Sequence, residues 1–250
     1  YMVYTQDFNA LLNTHIESGA DVTLLYHSVD NAKDAYVNCD ILNLNKQKGV
    51  LTIEKNRGNA KNRNIFMDTY VMKKELFIDL IKKAKKTSSL YTLSDIISSE
   101  CGEHGTLDVR GVSHRGYFAA ITDFKGYYNA NIELTDYNAA NSLFDPNWPI
   151  YTRTNDSSPT HYSEDGTAKN SVVSNGCLIE GTVDNCVIGR GCTIKEGAVV
   201  KNCVILSDVS IGSGIHAENL VIDRNAKLTK VKEIVAPDGD PHYVKRYDVI

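Results

Sequence analysis

At 250 residues the chain is long enough for two modest domains that each bury a core, and it needs no covalent staples to fold. Its 42% hydrophobic and 23% charged residues, with no apolar run near the roughly 20 residues of a membrane span, exclude a disordered or membrane-embedded chain. A formal net charge of -4 argues against nucleic acid as a partner, because phosphate-tracking surfaces carry an excess of Lys and Arg.

From residue 1 to about 137, helical and strand patterns alternate, the signature of an α/β domain. Tyr1-Met2-Val3-Tyr4 reads as the end of a strand, and with no initiator Met the natural protein is expected to extend further at its N-terminus. Thr5 and Asp7 can cap a helix that turns Leu11, Leu12 and Ile16 to one side and ends near Gly19. Residues 22–26 form a β-branched, apolar strand; 41–44 and 50–53 flank the Gln47-Lys48-Gly49 turn as a hairpin; 65–72 make another strand. Residues 75–84 are the clearest helix, with Leu76, Ile78, Leu80 and Ile81 at helical spacing, and Lys82, Lys83, Lys85 and Lys86 complement its dipole. A second helix starts at 93–97, before extended runs at 107–112 and 116–121. Cys39, Cys101, Cys177, Cys186, Cys192 and Cys203 form no CxxC pair and have no His at metal-ligand spacing, so reduced, buried thiols are expected. No signal peptide opens the chain, and a cytoplasmic location is expected.

Apolar periodicity vanishes between 143 and 169, where Pro146, Pro149 and Pro159 mark a long loop. The expected limits are 1–143 for the α/β domain, 144–169 for a linker, 170–230 for a β-helix and 231–250 for a terminal cap. Beyond the loop, Ile188, Ile194, Val200 and Leu206 recur every six residues, with Cys186, Cys192, Ala198 and Val204 two places before each. One bulky and one small residue on the same strand face, repeated every six, suits the narrow interior of a parallel β-helix. Cys177, Cys186 and Cys192 then act as small hydrophobes inside the solenoid. Val187, Thr193, Val199, Ile205 and Ile211 are expected to face outwards, beneath another domain or subunit. The tail, with its Pro237-Asp238-Gly239-Asp240 turn, reads as a hairpin or cap over the open end. His104, His114, His161 and His242 read as surface residues, and His216 has no obvious Asp partner.

Three segments carry a family resemblance. Asp145-Pro146-Asn147-Trp148-Pro149-Ile150-Tyr151-Thr152 closely resembles the Asn-Trp-Pro-Ile link between the two domains of bacterial glucose-1-phosphate adenylyltransferases, where Trp148 would plug the joint. Tyr127-Tyr128-Asn129-Ala130-Asn131 is similar to that family's Tyr-Trp-x-Ala-Asn helix. The opening, Val3-Tyr4, Asp7-Phe8, His15, Gly19 and Ala20-Asp21-Val22-Thr23, follows in the same order. The resemblance, closest to the regulatory-subunit branch, implies a partial sugar-nucleotidyltransferase, Rossmann-like α/β domain followed by a left-handed parallel β-helix of hexapeptide repeats.

In that family glucose 1-phosphate attacks ATP, a Gly-rich loop cradles the nucleotide, and carboxylates hold a divalent metal. No Gly-x-Gly-x-Arg cluster follows a strand here, so this chain is not expected to bind a nucleoside triphosphate in the family's manner. The Glu-Lys-Pro motif, whose lysine holds the sugar phosphate, is matched by Glu54-Lys55, with Asn56 in place of the proline. Glu54 and Lys55 are therefore the sugar-phosphate-binding candidates, although Glu-Lys at a strand end is equally ordinary hairpin surface. The family's metal-binding Asp meets Ala120, its other carboxylate meets Tyr1, and its sugar-contacting Ser meets Phe66; Asp123 is expected as a helix cap. No catalytic residue, metal ligand or cofactor is assigned to this chain, although active relatives would need Mg²⁺.

What the resemblance implies is a non-catalytic regulatory subunit of glycogen biosynthesis. It would be joined to a catalytic homologue in a hetero-oligomer, by analogy a tetramer, with a sugar phosphate as its possible ligand and neither nucleic acid nor membrane as partner. The competing reading is an active nucleotidyltransferase whose metal ligands shift to Asp95, Asp123 or Asp136. A remote third is a hexapeptide acyltransferase, which needs a general-base histidine.

Overall fold

The computed structural model describes residues 1–152 and 154–250. Compactness divides it into two units, Tyr1–Thr122 and Asp123–Ile250.

In the first unit β1 (Met2–Tyr4) leads into α1 (Phe8–Ser18), β2 (Val22–Val29), β3 (Asp40–Leu44), β4 (Val50–Lys55), β5 (Arg63–Met72), α2 (Lys74–Thr87), α3 (Leu93–Glu100), β6 (Val109–Ser113) and β7 (Phe118–Ala120). One sheet runs in the order β4-β3-β5-β2-β6, with β2 parallel to β6 and antiparallel to β5. β1 and β7 pair antiparallel in a separate ribbon. Because β2 is internal, the residues from Val22 to Tyr26 are buried without alternation, as a strand covered on both faces requires. The result is a small Rossmann-like α/β region.

The helix signals hold, but two helices are rotated from the faces expected. Asp7 caps α1, its Oδ1 accepting from the backbone N–H of Asn9 at 2.9 Å, and Gly19 ends it with φ 67°. Its buried residues are Leu11 and His15, whereas Leu12 and Ile16 are 44% and 66% exposed. The cause is polar: His15 Nδ1 lies 2.8 Å from the Thr23 hydroxyl on β2, which draws the histidine inward in place of its aliphatic neighbours. In α2 the packed stripe is Leu76, Leu80 and Ala84, spaced four apart, leaving Ile78 and Ile81 39% and 41% exposed on its flanks.

The second unit begins with α4 (Phe124–Glu133) and α5 (Tyr137–Leu143), followed by a parallel solenoid. Among the described residues its short strands stack into three five-stranded sheets. The helices belong by packing to this unit: Tyr128 sits on Val204 and Val221, and its hydroxyl donates to the Asn202 carbonyl at 2.8 Å. The compact division therefore falls before α4, some twenty residues ahead of the expected linker. The solenoid also begins inside that linker, with strands His161–Tyr162 and Thr167–Lys169, and continues through Glu233–Val235 and His242–Val244, so the tail adds parallel strands and is not a hairpin. These strands carry few inward aliphatics and pair through their backbones, which hides them from hydrophobic periodicity.

The repeat is 17 residues, the spacing of the paired residues Val187, Val204 and Val221. Between Ile188 and Ile234 each turn has two six-residue sides and one of five, while Leu178 to its partner Thr193 spans 15 residues and Leu220 to His242 spans 22, so a strict beat of six fails. Ile188, Ile194 and Val200 point inward as expected, but Ile205 and Cys203 then take the core, not Leu206 and Val204. Val204 is buried on the outer side against Tyr128. Ile205 and Ile211, expected outside, are 1% and 0% exposed within the core. The short corners turn at Asn185, Asn202 and Asn219, with φ of 53°, 49° and 58°, a conformation asparagine tolerates better than other β-substituted residues. All six cysteines are free and buried, Cys177, Cys186, Cys192 and Cys203 within the solenoid.

Candidate functional site

Lys55 ends β4 and lines a cleft of about 410 Å³ with Asp40, Phe66, Asp68, Tyr70 and Thr92. Antiparallel pairing across the hairpin sets Asp40 opposite Lys55, and their charged atoms meet at 2.8 Å. Tyr70 donates to Asp68 Oδ1 at 2.9 Å; burial, then that carboxylate, push the phenol pKa up and keep it a proton donor. Burial likewise raises Cys39 and keeps it a thiol. Glu54 does not join them. Alternation along the strand turns it to the other face, where its Oε1 accepts from Asn43 Nδ2 at 2.8 Å.

Asn56, where the resemblance expects proline, is fully buried. Its Nδ2 donates to the carbonyls of Ala32 and Tyr36 at 2.8 and 2.9 Å, and its Oδ1 accepts from Gly58 N at 3.1 Å. One amide thus fastens the loop leading into Asp40, and so fixes one wall of the cleft. Asp40 and Asp68 outnumber Lys55, so an anion must displace Asp40 from the lysine. The pair is half exposed and worth at most about 1 kcal/mol, a small cost.

Ala120 pairs with Met2 across the β1–β7 ribbon and packs against an apolar cluster that includes Leu11, Leu25, Ile65, Met67 and Phe118. The carboxylates that a shifted metal site would require are engaged at helix starts. Asp123 accepts from Gly126 N at 2.6 Å, Asp136 accepts from Asn138 N and Ala139 N at 2.9 Å, and Asp95 closes a capping box with Thr92. Among the described residues no group of three or more His, Cys, Asp or Glu side chains is placed to hold a metal ion. None of their helices is long and apolar enough to cross a membrane.

Other features were not foreseen. His114 is buried, 6% exposed, while His104, His161 and His242 are exposed. His216 does have acidic partners, Glu218 and Glu233, each at 3.2 Å. Trp148 remains 47% exposed. A cleft of about 540 Å³ on the solenoid gathers Arg190, Ser207, Asp208, Arg224 and Arg246. Arg190, Ser207 and Arg224 stand one repeat apart and form a column up one corner, and a period of 17 in place of six would have aligned them from sequence. Three guanidiniums against one carboxylate leave an excess of positive charge suited to a multiply charged oxyanion.

A family described as GlmU-like, C-terminal hexapeptide matches residues 157–245. The glucose-1-phosphate adenylyltransferase of Fervidobacterium nodosum is 29% identical over 227 residues, 89% of this chain and 53% of that protein. That of Acetivibrio thermocellus is 26% identical over 97% of this chain and 57% of its own length. The glycogen biosynthesis protein GlgD of Geobacillus stearothermophilus is 33% identical over 200 residues, 80% of this chain and 47% of that protein. The chain spans about half the length of the curated relatives it matches. Solenoid geometry and family match agree on a left-handed hexapeptide-repeat β-helix. The chain is a homologue of the glucose-1-phosphate adenylyltransferases and of GlgD, with a GlmU-like hexapeptide domain for its second half.

Proposed function

We propose that this chain serves glycogen biosynthesis as a non-catalytic regulatory subunit that docks to a catalytic glucose-1-phosphate adenylyltransferase. The observation that carries the reading is Ala120: where the family resemblance calls for a metal-binding carboxylate, a methyl group faces aliphatic and aromatic neighbours. Magnesium takes hard oxygen ligands, which that cluster does not offer. The helix-capping roles of Asp95, Asp123 and Asp136 support the same reading, as does the likeness to GlgD. A regulatory subunit needs an effector site, and the arginine column of Arg190, Arg224 and Arg246 is the place for an anionic one. Lys55, released from Asp40, would hold a sugar phosphate in the first unit.

Co-sedimentation and pyrophosphate release test this. Mixed with a catalytic homologue, the chain is expected to co-sediment and to alter the partner's response to anionic effectors, while turning over no ATP and glucose 1-phosphate itself. Turnover by this chain alone would end the non-catalytic reading, and failure to co-sediment would end the docking.

A further inference from the structure

A second polar hollow of about 640 Å³ opens where β2 ends and β5 begins, lined by His27, Asp30, Asn31, Asn62, Arg63 and Asn64. It shares no lining residue with the Lys55 cleft. Its chemistry is set from behind by His114. The Nε2 of that buried ring lies 3.0 Å from the Thr5 carbonyl oxygen, and a carbonyl only accepts, so the proton sits on Nε2. In the neutral ring Nδ1 is then a lone pair, and it faces His27 Nδ1 at 3.3 Å. His27 must therefore donate from Nδ1, which leaves its Nε2 as an acceptor. Stacking on Phe118, centroids 5.1 Å apart, holds the His27 ring in place. Burial, with His114 beside it, lowers the pKa of His27 and keeps it neutral. One backbone carbonyl thus fixes the tautomer of two histidines.

The rest of the lining complements that acceptor. Arg63 Nη2 donates to Asn59 Oδ1 at 2.7 Å, while its Nε is buried without a partner among the described residues. Ser28 donates to Asn64 Oδ1 at 2.8 Å and orients that amide. Asn31 and Asn62 each offer a donor and an acceptor. Arg63 and Asp30 cancel in charge and His27 is neutral, so the hollow favours no net charge on its occupant. Planar groups that donate and accept side by side match vicinal hydroxyls, which do the same.

We propose that this hollow is a binding site for a neutral polyhydroxylated ligand, a sugar, with His27 Nε2 accepting from one hydroxyl and Arg63, Asn31 and Asn62 engaging its neighbours. Calorimetry and saturation-transfer NMR on the 250-residue chain test it, with glucose, maltose and inorganic phosphate as probes. Glucose or maltose is expected to bind at about millimolar strength. Binding should survive Lys55→Ala and weaken by about tenfold or more in Asn62→Ala and in His27→Phe, which keeps the stacked ring but removes the acceptor. Should His27→Phe unfold, Asn62→Ala decides, because that side chain is exposed. Absence of sugar binding, phosphate binding that Asn62→Ala weakens more than it weakens sugar binding, or sugar binding lost with Lys55→Ala but retained in Asn62→Ala would each overturn the proposal.

Discussion

Replacing Asn56 with alanine tests how the first unit holds its cleft. The fully buried amide makes three hydrogen bonds, at 2.8, 2.9 and 3.1 Å, to Ala32 O, Tyr36 O and Gly58 N. At about 0.5–1.5 kcal/mol net for each, the loss comes to about 2–4 kcal/mol, because no alanine atom can satisfy the carbonyls left behind. For a unit of this size that corresponds to a melting shift of about 10 °C. Two units need not melt as one, so hydrogen exchange read by mass spectrometry is the better assay. Protection should fall at Asn38 and Asn56, whose amides bond to Asn56 O and Cys39 O at 2.9 and 2.8 Å, and should be unchanged in the solenoid. The reasoning fails if exchange over residues 32–39 is unaltered and the unit loses less than about 0.5 kcal/mol.

Asn202→Gly is expected to cost about 1 kcal/mol, the bond that Asn202 Oδ1 accepts from Asn185 at 2.8 Å, and Asn202→Ala about twice that, because alanine also bears the strain of φ 49°; chemical denaturation separates them. Burial pushes the Tyr128 phenol up to about 12, so its contribution is fully present below its ordinary value near 10 and is lost as pH rises through the folded one. Tyr128→Phe should remove part of the alkaline fall in stability. Asp223 works in the opposite direction. The Tyr243 hydroxyl, then the Arg224 amide, lower its pKa, so its contribution is present above about pH 4 and lost as pH falls through the lowered value; Asp223→Asn should flatten that acid slope. Ser207→Glu places a carboxylate between Arg190 and Arg224, and calorimetry with inorganic phosphate should find binding at the column abolished with the melting temperature unchanged.

What the sequence disclosed follows where local chemistry decides. Asp7 and Gly19 bound α1 because capping and a left-handed terminus are properties of those side chains, and the hairpin turns at Lys48 with φ 63° just where Gln47-Lys48-Gly49 predicts. The rotation of α1 was not legible, because it depends on a threonine hydroxyl eight residues away that satisfies His15. The solenoid was legible as a repeat but not as a repeat of 17, since the missing residue falls at an asparagine corner outside the aliphatic pattern. Of the candidate site, Lys55 lies in a cleft and Glu54 does not, a separation already implied by the two-residue period of a strand. Asp40, set opposite Lys55 by pairing across the hairpin, was not among the candidate residues. The His27–His114 contact, between residues far apart in sequence, had no signal in the chain at all.

The residues weighed for the family's chemistry share a physical feature. Asn56 spends its amide on the loop before Asp40, Asp123 and Asp136 spend their carboxylates on helix starts, and Ala120 contributes only a methyl to an apolar cluster. Each side chain is occupied with holding its own scaffold, and of these only Ala120 stands where the resemblance calls for a ligand. Caps alone would be a weak barrier to catalysis, since freeing one costs only about 1 kcal/mol. Ala120 is the stronger one. A carboxylate restored there would stand half-buried beside an apolar cluster and lose part of its hydration, a cost that a bound cation would offset. The apolar surroundings of that position suit a methyl group better than a metal-bound carboxylate, which agrees with the non-catalytic role proposed above.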